Sequence, residues 1–235
     1  MKTKLFYIAL SLLALISCDA HRTIDIEEPS NKVSFGKFTD ARDGYTYKTV
    51  TINGQTWMAE NLRYCPDEPL DNPNVTSRTI PFYYVYKNYD EPDTKKNLQK
   101  YGIIYNYHAA QEAVPSGWRL PKASDFRALI EAVEKMGSWD LSSYSTLLKM
   151  MSPNSVSEMD KGFVYLNISG FNGVYCRRIT SWDEFYSEEH LEYWTGEIGA
   201  YSFCIRGSRD SNYGLYPSTE SRYTDEAFPI RCIKE

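Results

Sequence analysis

The stretch from Tyr45 to Ile52 alternates and is rich in β-branched and aromatic residues, and the shorter run Gln55 to Met58 follows it after Asn53-Gly54. Asn-Gly between two such runs predicts a two-residue hairpin, because both turn positions need positive φ. Phe126, Leu129, Ile130 and Val133 recur at helical spacing. They predict an amphipathic helix with Ser124 as N-cap, Asp125 in its first turn and an end near Gly137. Tyr144, Leu147, Leu148 and Met151 repeat that spacing and predict a weaker helix ending at Pro153. Asn106 is placed to cap a short helix from Tyr107 to Ala113. Residues 65–100 carry Pro66, Pro69, Pro73, Pro81 and Pro92 and read as a long irregular excursion with one short strand near Phe82–Tyr86. After Lys161 the pattern predicts five short antiparallel strands: Gly162–Ile168, Gly173–Arg178, Glu192–Thr195, Tyr201–Arg206 and Phe228–Ile233. A helical middle and a strand-rich end make the expected fold class α+β.

The beginning of the chain follows a different pattern. Met1-Lys2-Thr3-Lys4 is basic, and the run from Leu5 to Ile16 is apolar except for Ser11. That run is too short for a spanning helix, which needs about 20 residues, but it suits the apolar region of a cleaved secretory signal. Leu15-Ile16-Ser17-Cys18 resembles the bacterial lipobox. The resemblance implies cleavage before Cys18 and acylation of it. Anchoring by two chains is energetically sufficient, at about 0.8 kcal/mol per buried methylene. The expected organisation is a signal peptide over 1–17, a lipidated polar tether over 18–38 and one domain over 39–235.

Charge narrows the partners. The chain has 26 Lys and Arg against 31 Asp and Glu, a net −5. Removal of residues 1–17 takes away Lys2 and Lys4 and deepens the charge to −7. An acidic domain with no basic stripe is a poor nucleic-acid binder, since that affinity comes from neutralising phosphates. Twenty Tyr are present, suited to half-buried strand positions.

Besides Cys18, four cysteines remain: Cys65, Cys176, Cys204 and Cys232. An exported chain meets oxidising conditions, so disulfides are expected, and four cysteines allow three connectivities among which spacing does not choose. No CxxC or HxxxH occurs, and no zinc site is expected.

Several segments then point to one family. Asp43 to Val50, Gln55 to Leu62, Tyr101 to Tyr105, Pro115 to Pro121, Gly162-Phe163, Tyr193 to Thr195 and Phe228 to Cys232 resemble, in order and spacing, the Fibrobacter succinogenes major paralogous domain. The resemblance covers about residues 40–235 and implies an exported, often lipidated protein. Trp118 to Pro121 before an acidic helix start, and Arg206-Gly207-Ser208 before a closing Arg231-Cys232 strand, are more loosely similar to the formylglycine-generating-enzyme and C-type-lectin-like folds. What this implies is a C-type-lectin-like α+β domain with short antiparallel strands, one main amphipathic helix and long loops. It implies no particular activity. Many relatives carry Cys where this chain has Val114, and that Cys would pair with the closing strand. With Val114 here, the expected pair becomes Cys204–Cys232.

No enzyme chemistry is expected. The region corresponding to the cysteine motif of the formylglycine-generating enzymes, Ser218 to Phe228, holds no Cys, and neither GxSxG nor a phosphate loop occurs. His108 near a helix start reads as structural. Glu91-Pro92-Asp93 and Trp182-Asp183-Glu184 faintly resemble calcium-lectin motifs, but calcium needs 6–8 converging oxygens, so they read as solvated loop carboxylates. No metal or cofactor is expected. Trp57, Trp118 and Trp194 are expected in the core. Trp139 and Trp182, in polar contexts, are the candidate ligand contacts, with the loops Tyr175–Glu189 and Ser208–Thr224 around them. Arg119, Arg206 and Arg231 sit beside apolar residues and are expected in buried or half-buried hydrogen-bonding roles. The expected function is a lipid-anchored, non-catalytic binding or adhesion module of the bacterial cell envelope, at the outer membrane or cell surface, held by lipid on Cys18. Its ligand would be a glycan or an envelope protein. The alternative is a structural or accessory part of a fimbrial or capsular assembly.

Overall fold

The computed structural model describes residues 33–70, 72, 74–86, 92–136, 144–153, 167–176, 178–180, 190–206 and 216–235. The predicted hairpin organises its first sheet. β2 (Thr46–Ile52) and β3 (Gln55–Met58) pair antiparallel with Ile52 opposite Gln55. Asn53 and Gly54, at φ 47° and 82°, make the turn. β1 (Val33–Thr39) pairs with β2 along all seven of its residues. Val33–Phe38, expected to be part of a tether over 18–38, therefore belong to the sheet. The strand is mostly exposed and is held by backbone pairing, so its hydrophobic pattern carries no signal.

The chain end closes this sheet. β6 (Trp118–Arg119) and β11 (Ile233–Lys234) complete the order β1-β2-β3-β11-β6. A second sheet, β10-β5-β4, is built from β4 (Tyr83–Val85), β5 (Ile103–Asn106) and β10 (Ala227–Pro229). A third, β7-β8-β9, holds β7 (His190–Trp194), β8 (Tyr201–Arg206) and β9 (Tyr216–Ser221). The expected strand Phe228–Ile233 is thus two short strands in two different sheets. Among the described residues of the expected strand Gly173–Arg178 there is one isolated bridge, Gly173 with Met151. Most of the expected strand Gly162–Ile168 lies outside the described residues.

The helices α2 (Tyr107–Ala113), α3 (Ala123–Glu134) and α4 (Tyr144–Met150) stand where periodicity put them. Asn106 caps α2 by accepting the Ala109 N–H at 3.0 Å. Ser124 lies inside α3 and is not its cap. Asp125 accepts the Lys122 N–H at 2.7 Å, and Glu197 accepts the Ala123 N–H at 2.8 Å. These carboxylates satisfy orphan donors of the first turn. α1 (Thr94–Tyr101) falls within the stretch read as irregular. It buries only Asn97 and Tyr101, so it has no apolar stripe, and its start depends on Asp93 accepting the Lys95 and Lys96 N–H groups. No helix of the described residues is long and apolar enough to cross a membrane.

Two larger cores lie on either side of the first sheet. On one side Trp57 and Phe126 approach to 5.2 Å, and Phe126 stacks on Phe203 at 4.7 Å, with Phe171 and Tyr193 completing the aromatic cluster. Such pairs add about 0.5–1.5 kcal/mol each beyond area burial. On the other side Tyr47, Met58, Tyr105, Trp118, Trp194 and Phe228 pack with the small face of α2. Trp57, Trp118 and Trp194 are all core residues, as expected.

The turn between β1 and β2 is pinned electrostatically. Arg42 donates from Nε and an Nη to the Asp40 carboxylate, reaches the Ala113 carbonyl at 2.8 Å, and lies 3.6 Å from the Tyr64 ring centroid. Burial raises the Asp40 pKa, but the hydrogen bonds and charge of Arg42 outweigh it and hold the carboxyl below its ordinary value. A carboxyl lowered in the folded state stabilises above its unfolded pKa and loses that contribution as pH falls through the folded one. Asp40→Asn is therefore expected to cost about 1–2 kcal/mol at pH 7, and the deficit is expected to shrink below about pH 4. Urea unfolding of both proteins at neutral and acid pH measures this; an equal deficit at both would refute it.

Candidate functional site

The largest buried cation of the described residues sits where the first and second sheets meet. Arg231, between β10 and β11, is 0% exposed. Its Nε and one Nη donate to Asn61 Oδ1 at 3.0 and 2.6 Å. The other N–H groups reach the carbonyls of Phe171 at 2.6 Å, Asn172 at 3.3 Å and Met58 at 3.4 Å. The guanidinium also lies 4.7 Å from the centroid of the Phe171 ring. Burial lowers the Arg231 pKa, yet an arginine starts so high that it stays charged. Every hydrogen-bond partner is a neutral oxygen, and the Glu60 carboxylate acts on the charge only through space.

Each wall of the cage has a local cause. Phe171 and Asn172 are presented by a tight loop in which Asn167, Gly170 and Asn172 take positive φ. Ser169 fastens the loop through its N–H and hydroxyl to the Lys149 carbonyl at the end of α4. Asn61 donates from Nδ2 to the Tyr101 carbonyl at 2.9 Å, joining the cage to the end of α1. Gly102 follows at φ 74°, and a Cβ there would stand 2.6 Å from the Leu62 carbonyl oxygen. Only glycine lets α1 approach so closely.

Above this floor opens a cleft of about 490 Å³ between the β2–β3 hairpin and α1. Its lining is polar. Lys48, Arg63, Lys96, Lys100 and Arg231 are cationic and Glu60 alone is anionic. Glu60 accepts the Tyr45 hydroxyl at 2.8 Å and the Lys48 backbone N–H at 3.0 Å, and meets Arg63 at 3.5 Å. Burial and this bond to Glu60 push the Tyr45 pKa up to about 12, so its hydroxyl is a neutral donor at pH 7. Arg63 is further occupied by the Gln99 carbonyl and the Tyr45 ring. Lys100 reaches only the Tyr101 ring face, at 5.0 Å, and desolvation lowers its pKa.

The residues singled out in the sequence fall elsewhere. Cys18, Trp139 and Trp182 lie outside the described residues, as does most of the loops Tyr175–Glu189 and Ser208–Thr224. No disulfide joins Cys65, Cys176, Cys204 or Cys232, and the expected Cys204–Cys232 pair is not formed. The two occupy different packing environments: Cys204 is on β8 opposite Glu192 and Ser218, while Cys232 packs with Tyr47 and Trp118. Val114 packs against that same cluster as a partly buried side chain. Burial pushes the Cys65 thiol pKa up, and those of Cys176 and Cys232 further, to about 12 for Cys232. His108 donates from Nε2 to the Arg78 carbonyl at 2.7 Å at the surface, a structural contact. Arg119 pairs with Asp125 at 2.6 Å and is half-buried, and Arg231 is wholly buried. Both match the hydrogen-bonding roles expected of them. The lysines of the cleft were not foreseen. The signal available was Lys95-Lys96 and Lys100 close together in an acidic chain.

Residues 50–234 match the family model of the Fibrobacter succinogenes major domain, which bears out the resemblance read from the motifs. No curated protein and no solved structure matches the chain.

Removing the central cation tests the cage. Arg231→Met strips the donors from Asn61 Oδ1 and the Phe171 carbonyl, and each buried acceptor left unpaired costs about 1–3 kcal/mol. The expected loss is about 3 kcal/mol or more, a fall in Tm of about 6–12 °C for a domain of this size. Arg231→Lys should recover little, because a lysine cannot span the fork. A loss below about 1 kcal/mol in thermal unfolding would show that the cage is not structural.

Proposed function

The chain belongs to the Fibrobacter succinogenes major domain family, and from that premise we propose that it is an exported, lipid-anchored cell-envelope protein whose C-type-lectin-like domain is a non-catalytic binding or adhesion module. The observation that carries this reading is the open polar cleft, a concave site with convergent polar groups of the kind that small ligands use. Support for the lectin-like arrangement lies in the α+β architecture, with short antiparallel strands, one main amphipathic helix and long connections. Support for the anchor lies in the basic start, the short apolar run and Cys18. In this reading the segment before Val33 links lipid to domain, and the ligand is a glycan or an envelope protein.

One observation favours a second reading, a structural or accessory part of a fimbrial or capsular assembly. β1 is an outer strand of its sheet and is mostly exposed, which leaves an edge able to accept a partner strand.

Both halves of the proposal are tested on the full chain. Wild-type protein is expected to incorporate an alkyne-tagged palmitate in the producing cell and to stay with the membrane fraction, and Cys18→Ala is expected to lose both. Detergent-solubilised protein is expected to give reproducible binding on a broad glycan array. Label retained by the variant would refute the anchor. A blank array together with a stable cross-link to one envelope protein would move the function to the assembly reading.

A further inference from the structure

The cleft has the opposite sign to the chain that carries it. The protein is net −5, yet the cleft brings five cationic side chains against one carboxylate. Glu60 is committed to Tyr45, to the Lys48 backbone and to Arg63. The ammonium groups of Lys48 and Lys100 have no hydrogen bond or ion pair among the described residues, nor does the side-chain amide of Gln99. Two of the charges that line the cleft therefore face it uncompensated. Beneath them lies Arg231, hydrogen-bonded to neutral oxygens and wholly buried, with the Glu60 carboxylate acting on it through space. A positive site with low-dielectric walls concentrates anions.

We infer that this cleft binds an anionic saccharide, with the acidic group held between Lys48 and Lys100 above Arg231. The inference rests on the binding-module reading and specifies its ligand. The volume, about 490 Å³, far exceeds an inorganic anion and suits one or two sugar rings. The walls carry amide and hydroxyl groups from Gln99, Thr46 and Ser152 and few apolar side chains, a lining that matches a ligand rich in hydroxyls. A sugar acid and a sulfated sugar share this chemistry.

The test is calorimetric titration of the full chain in detergent with oligogalacturonate, a sulfated disaccharide, their neutral counterparts and inorganic sulfate. At least one acidic saccharide is expected to bind roughly tenfold or more tighter than its neutral counterpart, and to weaken as salt rises from about 0.05 to about 0.5 M. Lys48→Ala/Lys100→Ala, two exposed substitutions that leave the Arg231 cage intact, is expected to lose roughly tenfold or more in affinity with an unchanged near-ultraviolet spectrum. Equal affinity for neutral and acidic sugars would overturn the inference while leaving the binding-module reading standing. Unchanged affinity in the double variant would overturn the placement in this cleft. Inorganic sulfate binding as tightly as the sulfated disaccharide would overturn the saccharide. Binding of no saccharide at all would overturn both the inference and the glycan form of the reading.

Discussion

A guanidinium buried without a carboxylate is the constraint around which this domain is assembled. Taking a charge out of water costs several kcal/mol unless the interior rebuilds its solvation. Here that solvation comes from segments far apart in sequence: the end of β3 and Asn61, the loop at Phe171 and Asn172, and Arg231 itself near the chain end. None can move without leaving donors or acceptors unpaired. Beside the cage, Met58 N–H donates to the Cys232 carbonyl and Leu62 N–H to the Ile230 carbonyl, so the closing strand is locked against the first hairpin.

The site follows from that arrangement. Asn61 faces two ways, accepting from Arg231 and donating to the Tyr101 carbonyl, and so places α1 beside β2. Gly102 permits the close approach, and Lys96 and Lys100 of a helix with little apolar surface then face Lys48 of the hairpin across one cleft. A carboxylate paired directly with Arg231 would have satisfied the charge equally well but would have neutralised the floor. Neutral oxygens satisfy it and leave the field in place. The chain as a whole is acidic, so the cleft is opposite to it in sign.

How much of this was legible in the sequence depended on whether a segment is positioned by its own pattern. Asn53-Gly54 encodes its turn locally, and Phe126, Leu129, Ile130 and Val133 write their helix in their spacing, so both were readable. β1 and α1 bury little and are held by their partners, β1 by backbone pairing with β2 and α1 by the Asn61–Tyr101 contact, so neither has an apolar period to read. The closing run from Phe228 to Ile233 looked like one strand because its apolar content is continuous. It is split by Arg231, whose side chain belongs to the cage between two sheets. That a lone arginine in such a run would be buried and hydrogen-bonded was readable. That its partners would be Asn61 and the loop at Phe171 was not, since those contacts span 170 and 60 residues. The cleft was hidden for the same reason, because its cations come from four separate places: Lys48 on β2, Arg63 after β3, Lys96 and Lys100 on α1, and Arg231 near the chain end.

The most direct measurement of the central claim is hydrogen–deuterium exchange at the Arg231 Nε–H, followed by nitrogen-resolved NMR and assigned by its disappearance in Arg231→Lys. A guanidinium whose donors are all engaged and whose side chain is shut off from water should exchange as slowly as the core amides of β3. Exchange at the rate of the exposed arginines would mean that the cage is open, and that the fold and the cleft do not depend on it.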